Sequence, residues 1–178
     1  MEESLLLTKP DASMAAEISA YRQEFLDADS SMDGCGSLRR QENPLDWLAH
    51  NALMEHPETL PENLVLATQY VLLHLPERRI VGMIQIRHYF NDYLSKFGGH
   101  IGYSVRPSER RKGYATAMLR QTLPLCREIG LDKVLITCID ANEGSRRTIL
   151  ANGGAYESTV YEPDEQVHLQ RYWIDLKS

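Results

Sequence analysis

The chain has 178 residues, 43% of them hydrophobic and 25% charged, with a formal net charge of −6. This is the profile of an ordinary soluble globular domain, and it excludes collagen-like, low-complexity and disulfide-scaffold classes. The charge is unevenly spread, with a net of −10 over residues 1–77 and +4 over residues 78–178, which suits either ligands of opposite sign in the two halves or two solvated surfaces of unequal composition.

In chain order, Leu5-Leu6-Leu7-Thr8 reads as a short strand stopped by Pro10. Glu2 and Glu3 before it and Lys9 after it fit neither a signal peptide nor a membrane span, so a cytoplasmic location is expected. A helix follows near residues 12–28, with Met14, Ile18, Tyr21 and Phe25 at helical spacing and Asp11 and Ser13 as candidate caps. Residues 30–41, with Gly34 and Gly36, read as a flexible loop. Asn43-Pro44 then caps and starts a helix running through His56 and ended by Pro57.

Residues 64–75 and 80–89 are β-rich and joined by Pro76-Glu77-Arg78-Arg79, which predicts an antiparallel hairpin. A third strand, 100–105, follows the Gly98-Gly99 turn. The period then changes: residues 113–129 carry Ala115, Met118, Leu119, Thr122, Cys126 and Ile129 on one stripe that Gly130 terminates, with Pro124 expected to bend the helix. A strand from Lys133 to Cys138 and a helix from near Asn142 to Gly153-Gly154 come next. The last element is a hairpin of about residues 155–161 and 167–176. Strand, helix, strand, helix, strand flanked by hairpins is a mixed α/β sheet, and with no repeat or linker residues 4–177 are expected to form one domain. A core of this size needs no staple. Cys35, Cys126 and Cys138 lack CxxC spacing and read as free thiols in a reducing compartment, with no metal site.

Chemistry concentrates in Val105-Arg106-Pro107-Ser108-Glu109-Arg110-Arg111-Lys112-Gly113-Tyr114-Ala115, where a strand turns directly into a helix. A helix N-terminus offers unpaired N–H groups and partial positive charge, Gly113 and Ala115 allow close approach, and Arg106, Arg110, Arg111 and Lys112 raise the local potential. The expected ligand is a phosphate or pyrophosphate, against the plainer reading of a solvated basic turn. Neither a P-loop nor a GxGxxG is present.

Arg110-x-x-Gly113-x-Ala115 after a strand ending at Val105 is similar to the Arg/Gln-x-x-Gly-x-Gly/Ala signature of the GNAT acetyltransferase superfamily, which grips the pyrophosphate of acetyl-CoA. Residues 102–107 resemble that family's fourth strand, Val134–Cys138 its fifth, and Asn142–Gly153, with its Asn-x-x-Ser start, the following helix. The element order agrees over nearly the whole chain, and the likeness is greatest to a branch of uncharacterised bacterial acetyltransferases. The resemblance implies a central twisted, mostly antiparallel sheet whose parallel fourth and fifth strands splay apart, with flanking helices.

It also implies roles. Val105 would pair with the pantetheine arm. The backbone N–H of Tyr103 would stabilise the thioester oxyanion, its side chain not being required. Arg110, Arg111, Lys112, Gly113, Tyr114 and Ala115 would hold the pyrophosphate. Asn142 would bond the pantetheine, serve as a helix N-cap, or both. Many members carry a tyrosine seven residues after that Asn to protonate the departing thiolate, whereas Ile149 stands here. Members of the ribosomal-protein N-terminal acetyltransferase branch lack it too and place a serine where Ser145 stands, which makes Ser145 the candidate thiolate partner or simply a capping hydroxyl.

For the general base, His88, His100 or a carboxylate is a candidate. Cys138 near the thioester reads as structural. Tyr89, Phe90 and Tyr93 would line the acceptor site or belong to the core, and Tyr172-Trp173 raise the same choice. The expected activity is acetyl transfer from acetyl-CoA to a primary amine of a small molecule or peptide, by direct attack in a ternary complex. The acidic N-terminal half favours a cationic amine or basic peptide terminus. The alternative is a non-catalytic CoA-binding or interaction module of the same fold. Neither nucleic acid nor membrane is an expected partner, and the chain is expected to be a monomer or homodimer.

Overall fold

A computed structural model describes residues 2–177. The strands are β1 (Leu5–Thr8), β2 (Ala67–His74), β3 (Arg79–Arg87), β4 (Ile101–Val105), β5 (Lys133–Ile139), β6 (Ala155–Glu162) and β7 (Val167–Asp175). The helices are α1 (Ala15–Asp27), α2 (Pro44–Leu53), α3 (Tyr114–Glu128) and α4 (Glu143–Ala151). Strands β1 to β4 form one antiparallel sheet in chain order, and β5, β7 and β6 form a second.

The mixed α/β architecture is the one expected, but the sheet is divided. Strands β4 and β5 share no ladder among the described residues, and one clamp just before β4 ties them: the His100 amide donates to the Leu135 carbonyl at 2.8 Å, and the Leu135 amide donates to Nδ1 of the His100 imidazole at 2.9 Å. Both backbone groups of Leu135 are thus satisfied by residue 100. Beyond that clamp no backbone hydrogen bond joins the two strands among the described residues.

The apolar patterning explains what covers each face. On one side β2 to β5 and β7 pack Leu72, Ile84, Ile86, Ile101, Val134 and Ile136 against Met118, Leu119 and Cys126 of α3 and Ile149 of α4. On the other side α1 lays its stripe of Ile18, Tyr21 and Phe25 on Val71, Leu73, Ile80 and Met83. Each such side chain contributes on the order of 1.5–3 kcal/mol of burial. Helix α3 runs unbroken through exposed Pro124, which only withdraws one donor on the solvent side.

Two expectations need correction. The second helix stops at Leu53 rather than His56, because His56 precedes Pro57 and so disfavours helical backbone, and the last residues relax into turns. The segment 30–41 is not a flexible loop. Met32, Cys35 and Leu38 are buried with fully enclosed Trp47, whose indole N–H donates to the Cys35 carbonyl at 2.8 Å. Gly34, at φ +71°, lies so close to β4 that an added Cβ would clash with the Gly102 carbonyl oxygen.

Candidate functional site

The turn between β4 and α3 gives the first part of the site. Gly113 is the N-cap of α3 at φ 84°, with no side chain capping the helix, and Arg111 also has a positive φ of 63°. The first amides of α3 therefore have no intrahelical acceptor and face outward beside cations, an arrangement suited to a phosphate. Lys112 pairs with Glu109 at 2.7 Å, and Glu109 also holds Arg79 at 3.0 Å. Exposed Arg111 makes no side-chain ion pair among the described residues. Arg110 turns back: Nε donates to the Val105 carbonyl at 3.2 Å, Nη2 to Ser30 Oγ at 2.8 Å, and the guanidinium lies over Phe25.

Arg106 does not belong to this cluster. Its buried guanidinium points the other way, to Glu24 at 2.6 Å and Glu17 at 3.1 Å, and it donates to the Ile80 carbonyl. The sequence places it among the cations of the turn, but strand alternation turns its side chain to the α1 face.

The second part is the open edge of β4. The ladder with β3 pairs Gly82 with Val105 and Ile86 with Ile101, and is closed at its ends by Arg87 N–H to His100 C=O and Arg106 N–H to Val81 C=O. Hydrogen-bonded pairs alternate in an antiparallel ladder. Even-numbered β4 residues therefore bond to β3, and the N–H and C=O of Tyr103 and Val105 turn towards the gap. The Val105 carbonyl is already engaged by Arg110.

Across the gap stands α4. Asn142 caps it, accepting the Ser145 N–H at 3.1 Å, so the capping role holds. The Ser145 hydroxyl and the Tyr103 phenol share a hydrogen bond of 2.6 Å. Burial pushes the phenol well above its usual range, with the Ser145 hydrogen bond opposing only in part. The Tyr103 side chain is thus a protonated partner of Ser145, which its sequence position alone does not reveal. Ile149 lies fully inside the core. Cys138 is buried beside this pair, and burial raises its thiol pKa.

The third part is the floor of the gap on the α1 side. Ser104 binds the Tyr21 hydroxyl at 2.9 Å and the Cys35 thiol at 3.4 Å, pinning the 33–36 segment to β4. That places the Asp33 carboxylate within electrostatic range of Tyr103, Cys35 and Arg87. Neither Asp33 nor Arg87 stands out in the sequence by motif. The signal was there in alternation: Met83, Gln85 and Arg87 share one face of a strand otherwise buried, and a charge there demands a partner.

The histidines lie apart from this group. His88 shares a hydrogen bond of 2.8 Å between Nε2 and the Thr68 hydroxyl, and burial lowers its pKa. Ile84 pairs with Tyr103, and His88 is further along β3 by roughly 13 Å at the usual strand rise, so the fold does not bring it to Tyr103 and Ser145. His100 is consumed by its clamp on Leu135 and stacked on Phe90; burial first, and Arg87 second, press its pKa down to about 4. Of the aromatic candidates, Tyr93 lines a cavity beside Arg87, Tyr89 is exposed, and Tyr172 is buried in the core. Among the described residues no helix is long and apolar enough to cross a membrane, and no cluster of His, Cys, Asp or Glu is placed to hold a metal.

Comparison with known proteins follows this geometry. The family model for the acetyltransferase (GNAT) domain matches residues 5–155. The fold is similar to that of a ribosomal-protein-S5-alanine acetyltransferase from Vibrio fischeri, at 16% identity and TM-score 0.75 over 98% of this chain and 94% of that one. It is also similar to Mycobacterium smegmatis RimJ, solved in complex with CoA-disulfide, at 18% identity and TM-score 0.71 over 96% and 81%. A third is yncA from Salmonella typhimurium, solved with its cofactor acetyl-CoA, at 12% identity and TM-score 0.66 over 98% and 95%. At these identities the likeness is one of fold. No curated protein sequence matches the chain.

Proposed function

Because this chain belongs to the GNAT acetyltransferases and is an acyltransferase that uses acetyl-CoA, we propose that residues 4–177 act as one domain that acetylates a primary amine by direct attack in a ternary complex. The observation that carries this reading is the parting of β4 from β5 beyond the His100 clamp, with the uncapped start of α3 and the Tyr103–Ser145 pair bordering the same strand. Acetyl-CoA supplies a thioester whose carbonyl carbon accepts the amine and whose thiol leaves.

The residues present fit that substrate. The amides of Gly113, Tyr114 and Ala115, assisted by Arg111 and Lys112, hold the pyrophosphate, while Arg110 braces the turn. The open edge at Val105, chiefly its N–H, and Asn142 take the pantetheine arm. The Tyr103 N–H polarises the thioester carbonyl. The Ser145 hydroxyl, held by the Tyr103 phenol that burial keeps protonated, donates a hydrogen bond to the departing thiolate, which takes up the proton released by the amine, through water. Asp33 takes the proton of the incoming ammonium, directly or through water. His88 stands too far along β3 for that task.

The test is CoA release with a panel of amines, products identified by mass spectrometry. Acceptor-dependent turnover is expected. Ser145→Ala lowers kcat by about 100-fold, with acetyl-CoA KM little changed, and Tyr103→Phe lowers it less. Gly113→Glu raises acetyl-CoA KM at least about 10-fold by placing a carboxylate on the phosphate site. An unchanged KM in Gly113→Glu would sink the pyrophosphate assignment, and CoA release that never exceeds background hydrolysis would sink the reading.

A further inference from the structure

Arg87 is a half-buried cation without an ion-pair partner among the described residues. Its Nε donates to Gln85 Oε1 at 3.2 Å and its Nη1 to the Gly98 carbonyl at 3.3 Å, both neutral acceptors, and among the described residues no carboxylate is within ion-pair distance of it. The titratable groups near enough to act on it electrostatically are Asp33 and Tyr93 and neutral His100. A partly desolvated guanidinium left to neutral dipoles is costly, and desolvation lowers its pKa.

The guanidinium also borders empty space. A cavity of about 170 Å³ is lined by Met54, Leu64, Val65, Asn91, Tyr93 and Arg87, among others. An apolar cavity of about 150 Å³ holds a molecule as large as benzene, so this one has room for a small organic group. Its position ties it to the reaction: the guanidinium covers Gly102, where an added Cβ would be 2.9 Å from Nη2, and Gly102 precedes the Tyr103 N–H assigned above to the thioester. Asp33 is close enough to act on Arg87 electrostatically yet forms no ion pair with it.

We propose that Arg87 and its cavity receive the carboxylate of the acceptor, so that the acceptor is a small zwitterion of free amino-acid size, its carboxylate on Arg87 and its ammonium on the Asp33 side. The proposal rests on the acetyltransferase reading and narrows its substrate class. A carboxylate on a guanidinium makes strong, charge-assisted hydrogen bonds, and Arg87 brings the one positive charge to the lining of this cavity among the described residues. A polyamine or an internal peptide segment brings no such anion. The acidic N-terminal half, which favours a cationic acceptor when read as sequence, largely spends its relevant carboxylates elsewhere: Glu17 and Glu24 face Arg106.

The test compares the free amino acids with their carboxamides, which keep the amine and remove only the negative charge. Two readouts are taken on the wild-type chain: thermal shift at millimolar ligand without acetyl-CoA, and kcat/KM from CoA release. Acids are expected to raise Tm where amides do not, and to exceed matched amides at least about 10-fold in kcat/KM, as loss of a charge-assisted pair implies. Arg87→Met brings that ratio to near unity, and Arg87→Lys keeps part of it. Equal responses to acids and amides in the wild type, including no response to either, overturn the proposal without any variant having to fold. Acid-selective Tm shifts without turnover keep the Arg87 site and overturn the catalytic reading. Turnover of acids and amides alike does the reverse.

Discussion

The β3–β4 ladder carries an arginine at each end, Arg106 and Arg87, and the register turns both to the α1 face. At one end the environment is complete: Arg106 lies between two carboxylates of α1 and a backbone carbonyl, and Glu24 is itself held by the Ser108 amide. At the other end Arg87 has an amide oxygen, a carbonyl and a cavity. Both are strand cations against a helical layer, so the difference lies in what the acidic N-terminal half delivers to each. A cation whose counter-charge is built in holds the fold together, and one whose counter-charge is missing is poised for a ligand.

The largest expected effect breaks this contrast directly. Arg106→Met takes from Glu17 and Glu24 the cation they share, leaving Glu24 only its longer ion-pair contact with Arg79 at 3.8 Å, and removing one partner of a buried pair costs about 3–5 kcal/mol; with Glu24 a quarter exposed, about 3 kcal/mol is expected. For a chain of this length that is a fall in Tm of roughly 6–12 °C. Arg87→Met removes an unpaired charge and two neutral hydrogen bonds, terms that offset, so its ligand-free stability stays within about 1 kcal/mol of wild type. Urea denaturation of both variants checks it. Equal losses would mean that Arg87 is as much a strut as Arg106.

Acid sharpens the same comparison. Burial acts to raise the Glu24 pKa, but hydrogen bonds from Arg106 and Ser108 and the charge of Arg106 outweigh it and hold the group at about 2 against a usual 4.5. A depressed folded-state pKa contributes stability that is fully present above pH 4.5 and lost as pH falls towards 2, at most about 3 kcal/mol. The wild type should therefore lose stability steeply across that window. Glu24→Gln starts lower at neutral pH and falls less, as a pH series of denaturation curves would reveal.

Most of the fold was legible because its elements announce themselves locally. The α1 stripe of Ile18, Tyr21 and Phe25 is buried as its spacing predicts, and Asn43, Gly113 and Asn142 sit at the helix starts they mark. The anion turn was also readable, since it is continuous in sequence. What escaped depends on contacts far apart in the chain. Arg106 reads as a ligand cation until α1 folds back to meet it across more than 80 residues. The Tyr103 side chain gains a role only when α4 brings Ser145 to it. The 30–41 segment looks flexible by composition, yet Trp47 and Ser104 bind its Cys35, and that packing brings Asp33 into electrostatic range of Tyr103 and Arg87. His88 and His100 drew attention as residue types, but a hydrogen bond to Thr68 and a clamp across two sheets decide what they do.

The smallest effect concerns the third kind of cation, exposed and lightly paired. Lys112 is half exposed on Glu109, which Arg79 also holds, and surface pairs of this kind add little to stability. Removing the Lys112 charge should therefore leave Tm where it is and act on the acetyl-CoA KM alone. Lys112→Ala subtracts a cation from the phosphate site and raises KM about 2- to 5-fold, while Glu109→Gln subtracts an anion, releases Lys112 from its partner and lowers KM by up to about 2-fold, both shifts shrinking as salt screens exposed charges. The Arg106–Glu24 pair is enclosed and screened far less, so its contribution to stability persists at the same salt. If added salt erased the stability difference of Arg106→Met as readily as the KM difference of Lys112→Ala, the division of these cations into built-in and ligand-seeking groups would fail.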